Sequence, residues 1–364
     1  MTKSAPRSQV LPPDLSIRKV LLFRLGSLGD TVVALPCFHL IARQFPNAER
    51  RLLTNFPVHS KAPASAAVLG DSGLVHGYMR YTVGTRNPFE LLRLAAEIRR
   101  FAPDLVVYMP HYRPASYVKR VRLFLRMAGV KRIVGIAPDE EMQFRFDPAT
   151  GNYESEAARL CRLLGELGEA HPTDPANWDL VFTPAERNTA AEALAPIAGI
   201  PLIVCGPGTK RQSKDWGQDN WRALLARISV DHPGHALAVV GAASETDLAD
   251  HAAALWNGPK LNLCDRLTPR EMGAVFEHAK LFLGPDSGPM HVAAAVGVPC
   301  VIAFSASVLP GTWFPIGDRN QVIYHQTSCH GCRLETCTVE ARRCLTSITI
   351  DEMAAAVDRV LGDS

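Results

Sequence analysis

The chain has 364 residues, of which 47% are hydrophobic and 21% are charged. That length is enough for two domains of ordinary size, and the composition excludes a disulfide-stapled miniprotein and a disordered charged tail. The longest uncharged apolar run, Val292 to Phe304, is interrupted by Gly297 and Pro299, so it falls short of the roughly 20 apolar residues that cross a bilayer. Residues 1–18 are predicted to be a loose tail and not a secretory signal, so we expect a cytoplasmic protein with reduced thiols.

The net charge of +3 hides an uneven distribution along the chain. Residues 1–150 carry 22 basic and 11 acidic side chains, whereas residues 151–364 carry 17 basic and 25 acidic ones. A strongly basic first half predicts that this half faces an anionic partner. A solvated basic surface without a partner is the alternative.

Strands and helices alternate in the first half of the chain. A short apolar run at 19–24 predicts a strand, the glycines at 26 and 29 predict a turn, and the periodic segment 31–45 predicts a helix. A strand at 104–109, a helix at 115–127 and a strand at 132–136 follow. This alternation predicts a parallel sheet covered by helices on both faces.

A proline-containing segment at 171–184 predicts a linker, after which the alternation restarts. The predicted elements of the second half are strands at 201–205, 236–240, 260–263, 281–284 and 299–304, and helices at 220–230, 245–256 and 351–361. We therefore expect an α/β protein with Rossmann-like domains at 19–175 and 176–348 and a C-terminal helix at 349–364. Two such domains place a ligand cleft between the carboxyl ends of their parallel sheets.

The first candidate site lies where the first strand turns into a helix. Gly26 and Gly29 allow a tight turn, and Asp30 falls near the helix N-terminus, where a carboxylate is favoured. The Gly-x-x-Gly spacing does not match a dinucleotide fingerprint. Asp30 is therefore either a general base at the mouth of a cleft or only a helix cap.

Three further segments follow predicted strands of the second half. The loop after 201–205 carries Lys210 and Lys214 and suits a diphosphate, although it lacks Walker spacing; a solvated basic loop is the alternative. Glu245 follows the strand at 236–240, where a carboxylate can accept hydrogen bonds from ribose hydroxyls. A helix predicted to open at Ser287 or Gly288 offers free amides to an anion. Near it, Asp286 and His291 are expected to line the same site, although a lone helical histidine is more often a packing residue.

Four of the nine cysteines cluster near the C-terminus, at positions 329, 332, 337 and 344. The spacing is compact enough for Cys329, Cys332, Cys337 and Cys344 to meet one tetrahedral metal ion. We expect either a structural zinc or iron ion there or four unligated thiols. The other five cysteines lie in apolar stretches and are predicted to be buried.

Several of these motifs carry a family resemblance. The segment Arg-Leu-Gly-Ser-Leu-Gly-Asp at 24–30, the Lys-x-Trp segment at 214–216 and the segment Gly-Pro-Asp-Ser-Gly-Pro-Met-His at 284–291 occur in this order. Together they resemble the ADP-heptose:lipopolysaccharide heptosyltransferase family, glycosyltransferase family 9, over residues 19 to 350.

The resemblance implies a GT-B glycosyltransferase whose two Rossmann-like domains face each other across a cleft. Asp30 then matches the family's catalytic base, Lys214 the lysine on the donor diphosphate and Glu245 the carboxylate on the ribose. The positions Asp286, Ser287, Gly288 and His291 match the loop and helix start around the diphosphate, and Lys210 is a further donor-site residue.

The implied reaction is an inverting transfer of heptose from ADP-heptose to a lipopolysaccharide core or related glycolipid. It requires no cofactor, and no Asp-x-Asp pair stands at a strand end to hold a catalytic metal. Gly29, Arg113 and Arg120 are expected to bind the anionic acceptor, with a peripheral contact to the inner membrane and no nucleic-acid partner. Two alternatives stay open: a GT-B transferase with another sugar nucleotide or a protein acceptor, and a non-catalytic sugar-nucleotide-binding homologue.

Overall fold

A computed structural model describes residues 13–56 and 65–362, so most of the predicted tail lies outside the described residues. The chain forms two compact units. The first contains the residues up to Arg145 together with Glu156–Trp178, and the second contains Phe146–Ser155 together with the residues from Asp179 onward. The chain therefore passes between the units three times, whereas the sequence predicted two contiguous domains.

Local packing explains both differences from the predicted boundary. The turn at Pro175–Trp178 belongs to the first unit, because Trp178 is buried there and Asn177 accepts a hydrogen bond from Arg43 at 2.5 Å. The segment 146–155 belongs to the second unit, because the amide of Tyr153 donates to the carbonyl of Pro310 at 2.8 Å. Neither contact leaves a periodic signal in the sequence.

The first unit is built on a five-stranded parallel sheet with the strand order β3-β2-β1-β4-β5. Its strands are β1 Lys19–Phe23, β2 Glu49–Asn55, β3 Gly77–Tyr81, β4 Leu105–Tyr108 and β5 Ile133–Val134. Its helices are α1 Leu28–Val32, α2 Leu35–Gln44, α3 Ser65–Leu69, α4 Pro88–Phe101, α5 Ala115–Met127, α6 Asp139–Met142 and α7 Glu156–Leu163.

The core of this unit follows from the sequence periodicities. Leu21 and Val106 of the central strands are fully buried and pack in one cluster with Leu94 and Ile98 of α4 and with Leu125 of α5. The helix predicted over 31–45 is wrong in one respect, because α1 and α2 are separate. A proline at the second position of α2 has no amide hydrogen and disfavours a helical residue before it, which separates the two.

The second unit contains a six-stranded parallel sheet with the order β10-β9-β8-β11-β12-β13 and a short antiparallel hairpin of β6 and β7. The strands are β6 Phe146–Asp147, β7 Asn152–Tyr153, β8 Leu202–Cys205, β9 Ala236–Val239, β10 Lys260–Asn262, β11 Ala279–Pro285, β12 Cys300–Phe304 and β13 Gln321–Tyr324. The helices are α8 Pro184–Leu194, α9 Gln218–Asp231, α10 Thr246–Ala253, α11 Pro269–Phe276, α12 Gly288–Ala295, α13 Arg343–Thr346 and α14 Ile350–Gly362.

The predicted C-terminal helix is an integral part of this unit. Met353 and Val357 of α14 lie in one buried cluster with Trp221 of α9 and Leu281 of β11. Trp216 belongs to the same cluster and donates its indole hydrogen to the carbonyl of Ile348 at 3.1 Å.

Both sheets reverse their strand order between two central strands, β1 and β4 in the first and β8 and β11 in the second. Loops at the carboxyl ends of such strands leave the sheet in opposite directions, and the gap between them is the usual ligand position in an open α/β sheet. The expected α/β class with two parallel sheets is confirmed. Within the described residues, no helix has both the length and the apolar character needed to span a membrane.

Candidate functional site

Asp30 is the third residue of α1, and Ser27 is the residue that caps this helix. The backbone amide and the hydroxyl of Ser27 donate to Oδ2 of Asp30 at 2.7 and 2.9 Å. The bond from the Ser27 amide to the side chain three residues later is one of the two bonds of a capping box. Both bonds from Ser27 therefore engage Oδ2. The second oxygen, Oδ1, faces His111 at 3.5 Å, so it is the oxygen available for chemistry.

The turn before Asp30 requires a glycine. Gly26 has a φ of +145°, and a Cβ there would lie 2.2 Å from the Cβ of Asp30. Asn55, at the end of β2, accepts from the amide of Gly26 at 2.6 Å and donates to its carbonyl at 3.1 Å. The neighbouring strand therefore fixes the loop that carries the carboxylate.

A buried ion network supports this carboxylate from beneath. Arg24 donates to Glu156 at 3.0 Å and to the backbone carbonyl of Asp30 at 3.1 Å. Arg159 binds both oxygens of Glu156, at 2.8 and 2.9 Å. All three network side chains are buried, and a buried charge persists only when it is paired in this way.

His111, three residues after β4, completes the surroundings of Asp30. Its Nε2 lies 2.9 Å from the carbonyl of Leu25, and because a carbonyl only accepts, Nε2 carries the proton. Burial and the charge of Arg24 lower the pKa of His111, against the opposing effect of Asp30 and Glu156. The imidazole is therefore neutral at neutral pH.

The pKa of Asp30 is lowered to about 2. Burial by itself would raise this pKa, but three effects outweigh it: the positive charge that His111 carries at the low pH where Asp30 titrates, the charge of Arg24, and the two hydrogen bonds from Ser27. The carboxylate is thus ionised throughout the physiological range, with 22% of its side chain exposed.

An arginine and tyrosine surface follows β4 along the chain. The guanidinium groups of Arg113 and Arg120 lie 5.7 and 5.8 Å from the ring centroid of Tyr117, within the range of cation–π attraction. Tyr81, at the end of β3, is hydrogen-bonded to Tyr117, and burial raises its pKa. Of the three predicted acceptor residues, Arg113 and Arg120 thus share one aromatic ring, whereas Gly29 is buried inside α1.

In the second unit, the loops after β8 and β11 meet through an ion pair. Nζ of Lys214 lies 2.6 Å from Oδ2 of Asp286, and the two side chains are 16% and 3% exposed. Because β8 and β11 flank the reversal of the sheet, this pair marks its ligand position. The sequence placed both residues at the donor site, and the structure brings them into direct contact.

The helix start predicted at Ser287 or Gly288 is present, with Ser287 as the cap of α12 and Gly288 as its first residue. The Ser287 hydroxyl oxygen is buried and has no hydrogen-bond partner within the described part of the chain. A helix start whose capping side chain makes no hydrogen bond to the helix amides suits an anion. His291 is buried in α12, with its ring 5.9 Å from that of Trp313.

Glu245 lies between two glycine-bearing loops. Its Oε2 accepts from the amide of Ala242 at 2.8 Å. A Cβ at Gly208 would lie 2.2 Å from Oε1, and one at Gly241 would lie 2.8 Å from Oε2. The loops after β8 and β9 therefore close around this carboxylate, while Lys210 is exposed on the first of them.

The four clustered cysteines line one small cavity, together with Ser213, Ser305 and Arg342. All nine cysteines are free thiols, and the five outside the cluster are buried, as predicted. Among residues 13–56 and 65–362, however, no group of three or more histidine, cysteine or acidic side chains is arranged to hold a metal ion.

Sequence reasoning missed the residues that surround Asp30 or hold its loop in place: His111, Glu156, Arg159 and Asn55. Glu156 lies 132 residues from Arg24 along the chain. The only local signal is the polar segment His-Tyr-Arg at 111–113, shortly after the buried strand β4. In a sheet whose order reverses at β1, that position lies beside the loop carrying Asp30.

The model of "Glycosyltransferase family 9 (heptosyltransferase)" matches residues 123–342 of this chain. Lipopolysaccharide heptosyltransferase 1 of Pseudomonas aeruginosa is 25% identical over 334 residues, which are 88% of each chain. Lipopolysaccharide heptosyltransferase 3 of Escherichia coli is 30% identical over 112 residues, and this match spans 30% of the chain and only 32% of that relative.

Among solved structures, the E. coli ADP-heptose lipopolysaccharide heptosyltransferase II superposes with a TM-score of 0.63 at 17% identity. The superposition covers 95% of this chain and 99% of that one. At this identity the likeness concerns the fold alone.

Proposed function

Because the chain belongs to glycosyltransferase family 9, we propose that it is an inverting transferase that moves heptose from ADP-heptose to a hydroxyl of a lipopolysaccharide core or related glycolipid. One observation carries the proposal: the ionised carboxylate of Asp30, with its Oδ1 facing His111, stands at the strand reversal of the first sheet. The lysine and helix start at the reversal of the second sheet supply a matching diphosphate site. Heptose as the sugar is supported by the relatives, which are lipopolysaccharide heptosyltransferases.

The proposed step is a single displacement. The acceptor hydroxyl gives its proton to Oδ1 of Asp30 while its oxygen bonds to the anomeric carbon of the heptose. The bond from that carbon to the β-phosphate oxygen breaks, and its electron pair leaves with ADP. Attack opposite the leaving group inverts the anomeric centre. One carboxylate suffices, unlike the pair in a glycoside hydrolase.

The low pKa of Asp30 fits a late proton transfer. A carboxylate with a pKa of about 2 does not deprotonate a free hydroxyl appreciably. As the carbon–oxygen bond forms, however, the hydroxyl proton becomes strongly acidic, and a weak base in contact with it is then sufficient. Ser27 and His111 hold the carboxylate in place for this moment.

The donor residues stabilise the leaving diphosphate. Lys214 is already paired with Asp286, so its charge is oriented before the donor binds and little reorganisation is needed. The amides and free hydroxyl at the start of α12 add hydrogen bonds to phosphate oxygens. Glu245 accepts from the ribose hydroxyls, and Lys210 and His291 complete the donor site. No step of this reaction requires a cofactor.

We also propose that the four clustered cysteines hold a structural zinc or iron ion. Their common cavity and the backbone amide of Arg342, which donates to the sulfur of Cys337 at 3.2 Å, suit thiolate ligands. Because no three ligating side chains are yet arranged as a set, the thiols must rotate toward the cavity to bind the ion. The ion would stiffen this segment and take no part in the transfer.

We propose that the outer face of α4 and α5 binds the anionic acceptor and contacts the membrane surface. The helices are adjacent, because Arg99 of α4 donates to the carbonyl of Met127 at the end of α5 at 2.6 Å. Their outward surface combines exposed apolar side chains with basic ones: Phe89, Leu92, Arg93, Arg100, Lys119, Arg120, Arg122, Leu123, Arg126 and Met127. This composition is typical of surfaces that bind anionic lipid.

The function is tested by mass spectrometry of products formed from a panel of sugar nucleotides and lipid A core acceptors of increasing length. ADP-heptose should give a product one heptose heavier. Asp30→Asn should lower kcat by about 10²-fold to 10⁴-fold, because it removes the base, and should retain ADP binding. If only another sugar nucleotide gave a product, the sugar in the proposal would not be heptose. Unchanged turnover in Asp30→Asn would show that Asp30 is not the base.

A further inference from the structure

Trp313 differs from the other tryptophans of the chain in its exposure. All five tryptophans lie within residues 65–362 of the described chain, and Trp313, in the loop between β12 and β13, is the one that is only half-buried. The other four are buried, with at most 5% of each exposed: Trp178, Trp216, Trp221 and Trp256. A large flat ring that stays partly open to solvent suits a surface that binds a ligand.

The turn that carries Trp313 is held against the hairpin of β6 and β7. Gly311 has a φ of +86°, and a Cβ there would lie 2.3 Å from the carbonyl oxygen of Tyr153 in β7. The amide of Tyr153 donates to the carbonyl of Pro310 at 2.8 Å. The backbone beside Trp313 is therefore fixed before a ligand arrives, which reduces the entropy that binding must overcome.

The residue after Trp313 places the turn at the carboxyl ends of two strands. The ring centroid of Phe314 lies 4.8 Å from that of Phe304, the last residue of β12, and 5.8 Å from that of Tyr324, the last residue of β13. The ring of Trp313 contacts α12, because its centroid lies 5.9 Å from that of His291 at an interplanar angle of 70°. Trp313 thus stands beside the helix whose start forms the proposed diphosphate site.

The candidate donor residues follow the order of the strands along this edge of the sheet. Glu245 follows β9, Lys214 follows β8, and the start of α12 follows β11. The next strand in the sheet is β12, whose loop carries Trp313. A donor with its ribose at Glu245 and its diphosphate at Lys214 and α12 therefore extends its sugar toward Trp313. Adjacent strands are about 4.8 Å apart, so β9 and β12 are separated by about 14 Å, enough for a ribose, two phosphates and one sugar ring in line.

The indole ring has the chemistry to bind a sugar ring. The C–H groups of a sugar carry a small positive charge, and the face of an aromatic ring is negative, so the two attract when they stack. We propose that Trp313 is the surface on which the sugar of the donor stacks, and that it thereby fixes the orientation of the sugar ring and adds affinity separate from that of the diphosphate. The inference deepens the proposed function and rests on it for the identity of the diphosphate.

The experiment measures the binding of ADP and of ADP-heptose to the full-length protein by calorimetry, without acceptor. Trp313→Leu keeps an apolar side chain beside His291 but removes the flat ring, so ADP-heptose binding should weaken about tenfold while ADP binding stays unchanged. Trp313→Phe restores an aromatic face and should recover most of the lost affinity. Circular dichroism checks that each variant is folded.

Phe146→Ala is the matched control, because it removes another exposed aromatic side chain of the same unit, 54% exposed on β6. The bond from Tyr153 to the turn uses a backbone amide, which this change leaves in place. Its affinities for both ligands should equal those of the wild type. In turnover, Trp313→Leu should raise the donor KM and leave the acceptor KM unchanged, a separation that a general loss of folded protein would not produce.

An equal loss of affinity for ADP and ADP-heptose in Trp313→Leu would overturn the inference, because Trp313 would then act only by packing against α12. Unchanged affinity for both ligands would overturn it as well. Both results leave the proposed function standing, whereas a folded wild-type protein that binds neither ligand would overturn the proposed function itself. If Trp313→Leu does not fold, Trp313→Met takes its place in the same comparison, because a flexible unbranched side chain fills irregular gaps.

Discussion

At the scale of single residues, Asp30 depends on neighbours from separate parts of the chain. Ser27 precedes it by three residues, His111 follows β4, and Arg24 links its backbone to Glu156 of α7. Hydrogen bonds and nearby positive charge stabilise the ionised form more than burial destabilises it. An aspartate at position 30 supplies the carboxylate of the proposed base, but its charge state is a property of the folded unit.

The pH dependence of turnover should reveal His111. Its pKa is lowered from the ordinary value of 6.5, whereas Asp30 titrates near 2, so Asp30 is already ionised when pH first falls below 6.5. Protonated His111 would make Oδ1 a weaker base, and kcat should fall several-fold as pH drops from 6.5 through the lowered pKa of His111. In His111→Asn, whose amide can still donate a hydrogen bond, this inflection should disappear; its persistence would assign it to another group.

The same shifts predict the stability profile measured by urea unfolding. The folded pKa of Asp30 is below its unfolded value, so its stabilising effect is complete above about 4 and is lost as pH falls toward 2. The folded pKa of His111 is also lowered, so stability declines as pH falls below 6.5. Both effects have the same sign, and the first unit should be destabilised by acid.

At the scale of elements, α8 and α11 are joined by one buried arginine. Arg270 of α11 donates to both oxygens of Glu186 of α8, and to the carbonyls of Leu180 and Val181 just before that helix. Thr183 and Thr268 cap the two helices with complete capping boxes. The caps are readable from sequence, whereas the arginine contact requires the helices to be side by side.

Arg270→Ala should destabilise the second unit by about 3 kcal/mol, because it removes the charged partner of the Glu186 carboxylate and the donor to two backbone carbonyls. For a unit of this size the expected fall in Tm is about 10 °C, measured by calorimetry. Arg187→Ala is the matched control: it removes a similar two-bond pair with Glu277, but these side chains are 49% and 32% exposed. That variant should lose less than about 1 kcal/mol. Equal losses in the two variants would contradict the argument from burial.

At the scale of the whole molecule, the uneven charge corresponds to the two units. Many of the basic side chains of the first unit lie on the outward face of α4 and α5. The second unit has no comparable excess of positive charge, and its proposed diphosphate site uses one lysine held by one aspartate. The positive charge of the first unit thus suits the proposed anionic acceptor, whereas the proposed donor site depends on local geometry.

Replacing Arg120 and Arg122 by glutamate should raise the acceptor KM several-fold and leave the donor KM unchanged, because both lie on α5 of the first unit. Sedimentation with phosphatidylglycerol vesicles should also decrease, and added salt should reduce wild-type binding in the same way. The matched control, Arg222→Glu with Arg227→Glu on α9, makes the same change in net charge within the second unit. If the two double variants had the same effect, net charge and not the α4 and α5 face would explain the change in acceptor KM and vesicle binding.

The sequence by itself determined the alternation of strands and helices, the glycine turn before Asp30 and the start of α12, because these depend on residues within a few positions of each other. The tertiary structure decided which loops meet: the reversal of strand order in each sheet places His111 beside Asp30 and Asp286 beside Lys214. The segment after β13 also hydrogen-bonds the loop that carries Lys214. Partners such as Arg24 and Glu156 are 132 residues apart, and chain periodicity carries no information on which distant loops come together. The exchange of 146–155 between the units escaped prediction for the same physical reason.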